Sequence, residues 1–213
     1  MHIPNGVDTC RFAPRLGSTA HFRRELGLPL DAFLIGSVGR LDPIKDYRLL
    51  LDAAARLRPD VPAAVVLAGE GPEKEKLLQE AQRRGIADRF FLPGHIGAVE
   101  RLLNALDAFV LPSISEGMSN VVLEAMASGL PVICRDLASH REIIRPNHDG
   151  LLLDPCNGET LAAALKEIAR DPSLRETLAH NARRSITERF SLEVMVEAHD
   201  RLYQTVWNSR NRR

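Results

Sequence analysis

Two carboxylates eight positions apart, Glu116 and Glu124, carry the clearest chemical signal in the sequence. They bracket the run Ser115-Glu116-Gly117-Met118-Ser119-Asn120-Val121-Val122-Leu123-Glu124. The apolar run Ala108-Phe109-Val110-Leu111 before it reads as a buried strand, a helix follows, and Pro131-Val132-Ile133-Cys134 opens the next strand. One acid thus falls in the loop after a strand, and the other early in the helix after that loop. In an open α/β sheet this loop lies on the edge where ligands bind. Ionised carboxylates accept several hydrogen bonds, so the pair suits a hydroxyl-rich ligand. The helix start behind Gly117, Met118, Ser119 and Asn120 offers N–H groups and the positive dipole end to an anion. Ser119 also reads as a plain helix cap, and Glu124 as an acid that only complements the dipole.

Three further loops belong beside this one. Gly39-Arg40-Leu41-Asp42-Pro43-Ile44-Lys45 follows a strand, and its glycine lets backbone approach a ligand. Arg40 and Lys45 read either as surface cations or as a diphosphate clamp, Arg as a fork and Lys as a point charge. Gly69-Glu70-Gly71-Pro72 ends another strand; it lacks the third glycine of the dinucleotide fingerprint and reads also as a tight turn. Pro93-Gly94-His95-Ile96 ends a third, where loop backbone can read a flat base edge and His95 alone reads as a surface or capping residue. Cations, a glycine turn, a base-sized loop and two acids on one rim suit a diphosphate, a ribose and a sugar joined in one ligand.

The elements that must position these loops alternate. Strands are expected at 33–38, 64–68, 90–92, 108–111, 132–134 and 151–153. Between them run apolar helix faces: Leu49, Leu50, Ala53, Ala54 and Leu57; then Leu77, Leu78 and Ala81; then Val99, Leu102, Leu103 and Leu106. Such alternation predicts a parallel sheet covered on both faces, and right-handed crossovers make it doubly wound and Rossmann-like, an α/β fold of about six strands. After Asp154 the strands stop. Helices are expected over 157–170, 173–189 and 191 to about 208, with Ser173 and Ser191 as N-caps. The last carries Val194, Ala198, Leu202 and Val206 on one face and needs a surface to cover.

Composition narrows the classes. The 213 residues are 45% apolar, enough for one domain with a real core. Lys+Arg and Asp+Glu are both 28, so nothing points to nucleic acid as a partner. Local basic patches are candidates at Arg83-Arg84, Arg183-Arg184 and Arg210-Asn211-Arg212-Arg213, with solvated faces or a frayed tail as the plain reading. Cys10, Cys134 and Cys156 are too scattered for a disulfide framework and fit a reducing, cytosolic setting. No signal peptide and no Asp-x-Asp or zinc spacing is visible. His140-Arg141-Glu142 with Pro155-Cys156 superficially resembles a zinc deaminase, but the second cysteine is missing.

Together these motifs resemble the C-terminal, donor-binding domain of GT-B retaining glycosyltransferases of family 4, the glycosyl transferases group 1. The resemblance runs in order through Asn5-Gly6-Val7-Asp8, Gly39-Arg40-Leu41 with Lys45, Gly69-Glu70-Gly71-Pro72, Pro93-Gly94 and Glu116 to Glu124 with Gly129-Leu130-Pro131-Val132. It implies a nucleotide-diphosphate sugar (UDP-, GDP- or ADP-) as substrate, with no cofactor and no metal. Arg40, Lys45 and Glu116 would be catalytic; Gly39, Gly69, Gly71, Gly94, His95, Gly117, Met118, Ser119, Asn120 and Glu124 would bind the donor. It further implies transfer with retention to a glycan, a lipid-linked saccharide or lipopolysaccharide, in the cytoplasm and at the inner face of the membrane. The division expected is a linker and leading helix over 1–30, the donor domain over 31–190, and a crossover helix and tail over 191–213. An N-terminal acceptor domain is expected to be absent, leaving the isolated chain nearly inactive. A GT-B-like epimerase or phosphorylase and a non-catalytic nucleotide-binding module are the alternatives.

Overall fold

The structure, a computed structural model, describes residues 3–15, 19–58 and 60–210. Met1, His2 and residues 16–18 of the expected linker and leading helix, and Asn211, Arg212 and Arg213 of the basic tail, lie outside these. The six expected strands form: β1 (Phe33–Val38), β2 (Ala63–Ala68), β3 (Phe90–Gly94), β4 (Ala108–Leu111), β5 (Val132–Arg135) and β6 (Leu151–Leu153). They make one parallel sheet in the order β3-β2-β1-β4-β5-β6. Alternation along each strand fills two cores. Leu34, Val66, Phe109, Leu111 and Val132 enter one layer, and Ile35, Val65, Leu67, Val110 and Ile133 the other. Burial on both faces explains why these strands are near-continuous apolar runs.

The described helices are α1 (Thr19–Glu25), α2 (Tyr47–Leu57), α3 (Lys74–Arg83), α4 (Val99–Ala105), α5 (Asn120–Ala127), α6 (Ala138–Ile143), α7 (Gly158–Arg170), α8 (Pro172–Arg189) and α9 (Leu192–Arg210). Residues of α2, α3 and α7 fill the second layer, and residues of α4, α5 and α8 the first. The order reverses between β1 and β4: the chain winds outward from β1 to β3, returns through α4, and winds out again from β4 to β6. That reversal is a topological switch point, where a crevice opens beyond the strand ends.

Several details differ from the sequence reading. α8 starts at Pro172, and its cap is Asp171, whose carboxylate accepts from Leu174 N at 2.9 Å; Ser173 lies inside the first turn. An aspartate followed by Pro at N1 is the better start signal. Ser191 does cap α9, accepting from Val194 N at 3.3 Å. Leu78 is exposed, while Leu106 lies past the end of α4 yet is buried against Gly36. β3 runs two residues further than expected, because Gly94 still pairs with Ala68. Residues 3–15 pack on the domain: Val7 pairs with Ser191, and Phe12 is buried in the first layer. On α9, Val206, Tyr203 and Trp207 are exposed. Among the described residues no helix is long and apolar enough to cross a membrane.

Candidate functional site

The crevice between β1 and β4 is built from the two loops that leave those strands. After β1 the chain passes Gly39 and Arg40 and forms a 3-10 turn over Pro43–Lys45. Ile114, in the loop after β4, donates its backbone N–H to Ile44 O at 2.9 Å, so the loops are zipped together. Across this seam Lys45 Nζ lies 2.5 Å from Glu116 Oε1, with side chains only 18% and 13% exposed. The candidate cation and the candidate sugar-binding acid therefore meet, although 71 positions separate them. Arg40 differs: its side chain is 72% exposed and pairs with Asp42 at 2.9 Å.

Tyr47 completes this corner, and the sequence reading missed it. It is buried, its hydroxyl lies 3.5 Å from Ser37 Oγ, and a Cβ on Gly39 would lie 3.1 Å from that hydroxyl. Burial, reinforced by the Glu116 charge, pushes its phenol up to about 12. It is therefore a neutral hydroxyl at the back of the crevice. A tyrosine just after a lysine turn was the only available signal.

The glycines separate into two kinds. Gly69 has φ +142°, and a Cβ there would lie 2.0 Å from Gly39 O. A Cβ on Gly71 would lie 2.5 Å from Leu41 O, and one on Gly94 2.7 Å from Glu70 Oε1. Backbone bonds from Gly39 N to Ala68 O, Leu41 N to Glu70 O and Gly69 N to Gly94 O tie these loops at 2.8–3.0 Å. These glycines thus let three strand-end loops touch one another. The loops frame a cleft of about 320 Å³ beside the crevice, lined by Gly39, Arg40, Gly69, Glu70, His95 and Ile96. His95 is exposed on its rim. Gly117 is the other kind: nothing lies within 4 Å of the Cβ position, so the fold itself does not require a glycine.

Beyond Gly117, the Ser119 backbone is extended at the N-cap position, but its hydroxyl makes no cap bond. The first-turn amides of α5 are thus left without a side-chain cap. Asn5 reaches this loop, donating from its side chain to Asn120 Oδ1 at 2.8 Å and from its backbone N–H to Met118 Sδ at 3.1 Å. The carboxylate of Glu124, half-buried on α5, has no hydrogen-bond or ion-pair partner among the described residues. Burial raises its carboxyl, Arg11 opposes the shift, and Glu100 adds to it. Arg11 itself is taken by Glu100 at 3.0 Å.

Of the candidate basic patches, Arg183 and the Arg83-Arg84 pair are engaged in local contacts. Arg183 donates to Phe12 O, Ala127 O and Thr9 O, tethering the N-terminal segment to α5 and α8. Arg84 pairs with Glu80 and Asp52, and Arg83 with Glu80. Among the described residues no group of three or more His, Cys, Asp and Glu converges as a metal site. His140 is fully buried and bonds the Arg135 carbonyl through Nδ1 at 2.8 Å.

Residues 18–185 match the family described as glycosyl transferases group 1. A D-inositol 3-phosphate glycosyltransferase of Actinosynnema mirum is 36% identical over 84% of this chain and 46% of its own. The crystal structure of Anabaena Alr3699/HepE in complex with UDP superposes with a TM-score of 0.88 at 25% identity, covering 97% of this chain and 57% of that one. The C-terminal domain of the group 1 protein LpcC from Francisella tularensis is covered over 100% of its length, with a TM-score of 0.79 at 27% identity over 88% of this chain. The chain spans about half the length of the curated relatives it matches. It belongs to the glycosyl transferases group 1 family, with a GT-B-type Rossmann-like sheet.

Proposed function

We propose that this member of the glycosyl transferases group 1 family binds a nucleotide-diphosphate sugar in the β1–β4 crevice and serves as the donor half in transferring the sugar. The observation that carries the reading is the Lys45–Glu116 contact at the switch point, with Arg40 beside it and the open Gly117 loop in front. A sugar leaving as its nucleotide builds negative charge on phosphate oxygen, and preplaced cations and helix-start amides stabilise that charge. Lys45 carries three donors, so its ammonium bridges Glu116 and a phosphate at once. Arg40, on an exposed stem, swings from Asp42 to the diphosphate. Glu116 accepts from hydroxyls of the transferred sugar, and Glu124, whose carboxylate has no competing partner among the described residues, from the ribose. The cleft beside His95 holds the base.

Both carboxylates come from one loop–helix unit. They do not flank a scissile bond from opposite sides as a glycosidase pair does. Transfer in this reading retains the anomeric configuration and needs no metal. The acceptor, a saccharide or lipid-linked saccharide, is bound by a further half comparable to the length by which the relatives exceed this chain; without that half, turnover stays near background. The reaction is assigned to the cytoplasm, beside the inner face of the membrane. Calorimetry with UDP-, GDP- and ADP-sugars tests the donor site. Binding of at least one is expected, weakened by about 1.5–3 kcal/mol in Arg40→Ala; binding of none overturns the reading.

A further inference from the structure

We propose that Arg135, with His140 behind it, is a positioning residue for the Lys45–Glu116 pair. Arg135 ends β5, one strand beyond the crevice. Its guanidinium donates from Nε to Pro112 O at 3.0 Å, from Nη2 to Asp46 Oδ2 at 2.7 Å, and from Nη1 to Cys156 O at 3.4 Å. Pro112 starts the loop that carries Glu116. Asp46 follows Lys45 directly and holds a left-handed backbone, φ 50° and ψ 39°, a conformation uncommon without glycine. One planar fork therefore fixes both loops whose side chains meet at 2.5 Å, and ties them to the loop after β6.

His140 holds the Arg135 backbone from which the fork projects. The Arg135 carbonyl can only accept, so His140 Nδ1 carries the hydrogen and Nε2 holds a lone pair. That Nε2 is buried and has no partner among the described residues, and the ring lies within the fields of Lys45 and Glu116. Burial holds the ring neutral, so it places no second cation against Lys45. A buried acceptor left unpaired is a cost that a native structure rarely carries without a use.

For its consequence in binding the inference rests on the donor-site reading, so two readouts are needed. In the full chain, Arg135→Met is expected to weaken UDP, GDP or ADP binding by about tenfold or more, and Arg135→Lys nearly as much. In a Lys45→Met background the same change is expected to cost no more than about twofold, because nothing is left to position. Full affinity in a folded Arg135→Met chain, or additive losses in the double variant, would overturn the proposal. The second readout needs no nucleotide. The Lys45 ammonium, followed by ¹⁵N NMR, should show a hydrogen-bonded signal in the parent and lose it in Arg135→Met, or in Arg135→Lys if the first variant does not fold. An unchanged signal refutes the positioning role. A lost signal in a chain that binds none of the three nucleotides refutes the donor reading alone.

Discussion

A single methyl group distinguishes the two kinds of glycine at the crevice. In Gly69→Ala the new Cβ would sit 2.0 Å from Gly39 O and 2.9 Å from its carbonyl carbon. Carbon and oxygen normally approach no closer than about 3.3 Å, so the loops must part by more than about 1 Å. They are held where they are, Gly39 N by Ala68 O at 3.0 Å and Gly69 N by Gly94 O at 2.8 Å. Forced overpacking costs about 1–3 kcal/mol. Holding alanine at φ +142° adds about 1–3 kcal/mol. The expected loss is therefore about 2–6 kcal/mol, read as a lower urea midpoint at unchanged slope. Gly117→Ala should behave oppositely. Its Cβ meets nothing within 4 Å, so stability should stay within about 0.5 kcal/mol. Its methyl instead occupies space in front of the crevice, and affinity for a nucleotide sugar should fall by about tenfold or more. A Gly69→Ala chain as stable as the parent would refute the close-approach argument. A Gly117→Ala chain that loses stability but not affinity would refute the ligand argument.

Other consequences follow from charge and burial. Lys45→Met leaves Glu116, 13% exposed, without its cation. Breaking a fully buried pair costs about 3–5 kcal/mol, and the residual exposure here reduces the expectation to about 1–3 kcal/mol, partly restored by Glu116→Gln in the same chain. An undiminished unfolding midpoint would count against the contact. Burial raises Glu124 above its ordinary 4.5, so its ionised form, and with it the grip on a ribose proposed for it, is lost as pH falls through that raised value. Calorimetry should show UDP affinity dropping on acidification before that of dUDP; parallel curves would remove Glu124 from the 2′-hydroxyl. His140 is held below its ordinary 6.5 by burial, so the unfolded chain takes up its proton first. Its contribution to stability is complete above pH 6.5 and declines as pH falls below it. The variant His140→Asn should flatten that decline, and an unaltered pH profile would place the titration elsewhere.

What the sequence made legible was local. All six strands could be placed because each is a short apolar run, fully buried in the centre of the sheet and partly buried at its edges β3 and β6, and that pattern survives without knowledge of neighbours. The loops after β1, β2, β3 and β4 could be marked as ligand-facing because chain direction fixes which end of a parallel strand they leave. The errors were also local. Ser173 looked like a cap because serine favours that position, but Asp171 before a Pro at N1 competes better. Leu78 fits the apolar period of α3, yet points away from the sheet.

What stayed illegible was the set of partners across the switch point. Lys45 and Glu116 were each chosen for facing a ligand, and no periodicity reveals that they face each other first. Gly69 and Gly71 were expected from the resemblance to bind the donor, and their missing side chains admit the backbone of Gly39 and Leu41. Arg183 suggested a surface cation, yet its three carbonyl acceptors hold the N-terminal segment in place. Arg135 gave no signal, since an arginine after an apolar strand is unremarked until the loops it joins are adjacent in space. The order β3-β2-β1-β4-β5-β6 makes them adjacent by setting β1 beside β4 and β4 beside β5. Topology therefore decides which residues form the site, while sequence motifs decide only which could. A lysine shared between a carboxylate and a phosphate, as proposed for Lys45, needs both loops held at a fixed separation. That requirement places the control of affinity as much in Arg135 and the glycine contacts as in the residues that would touch the ligand.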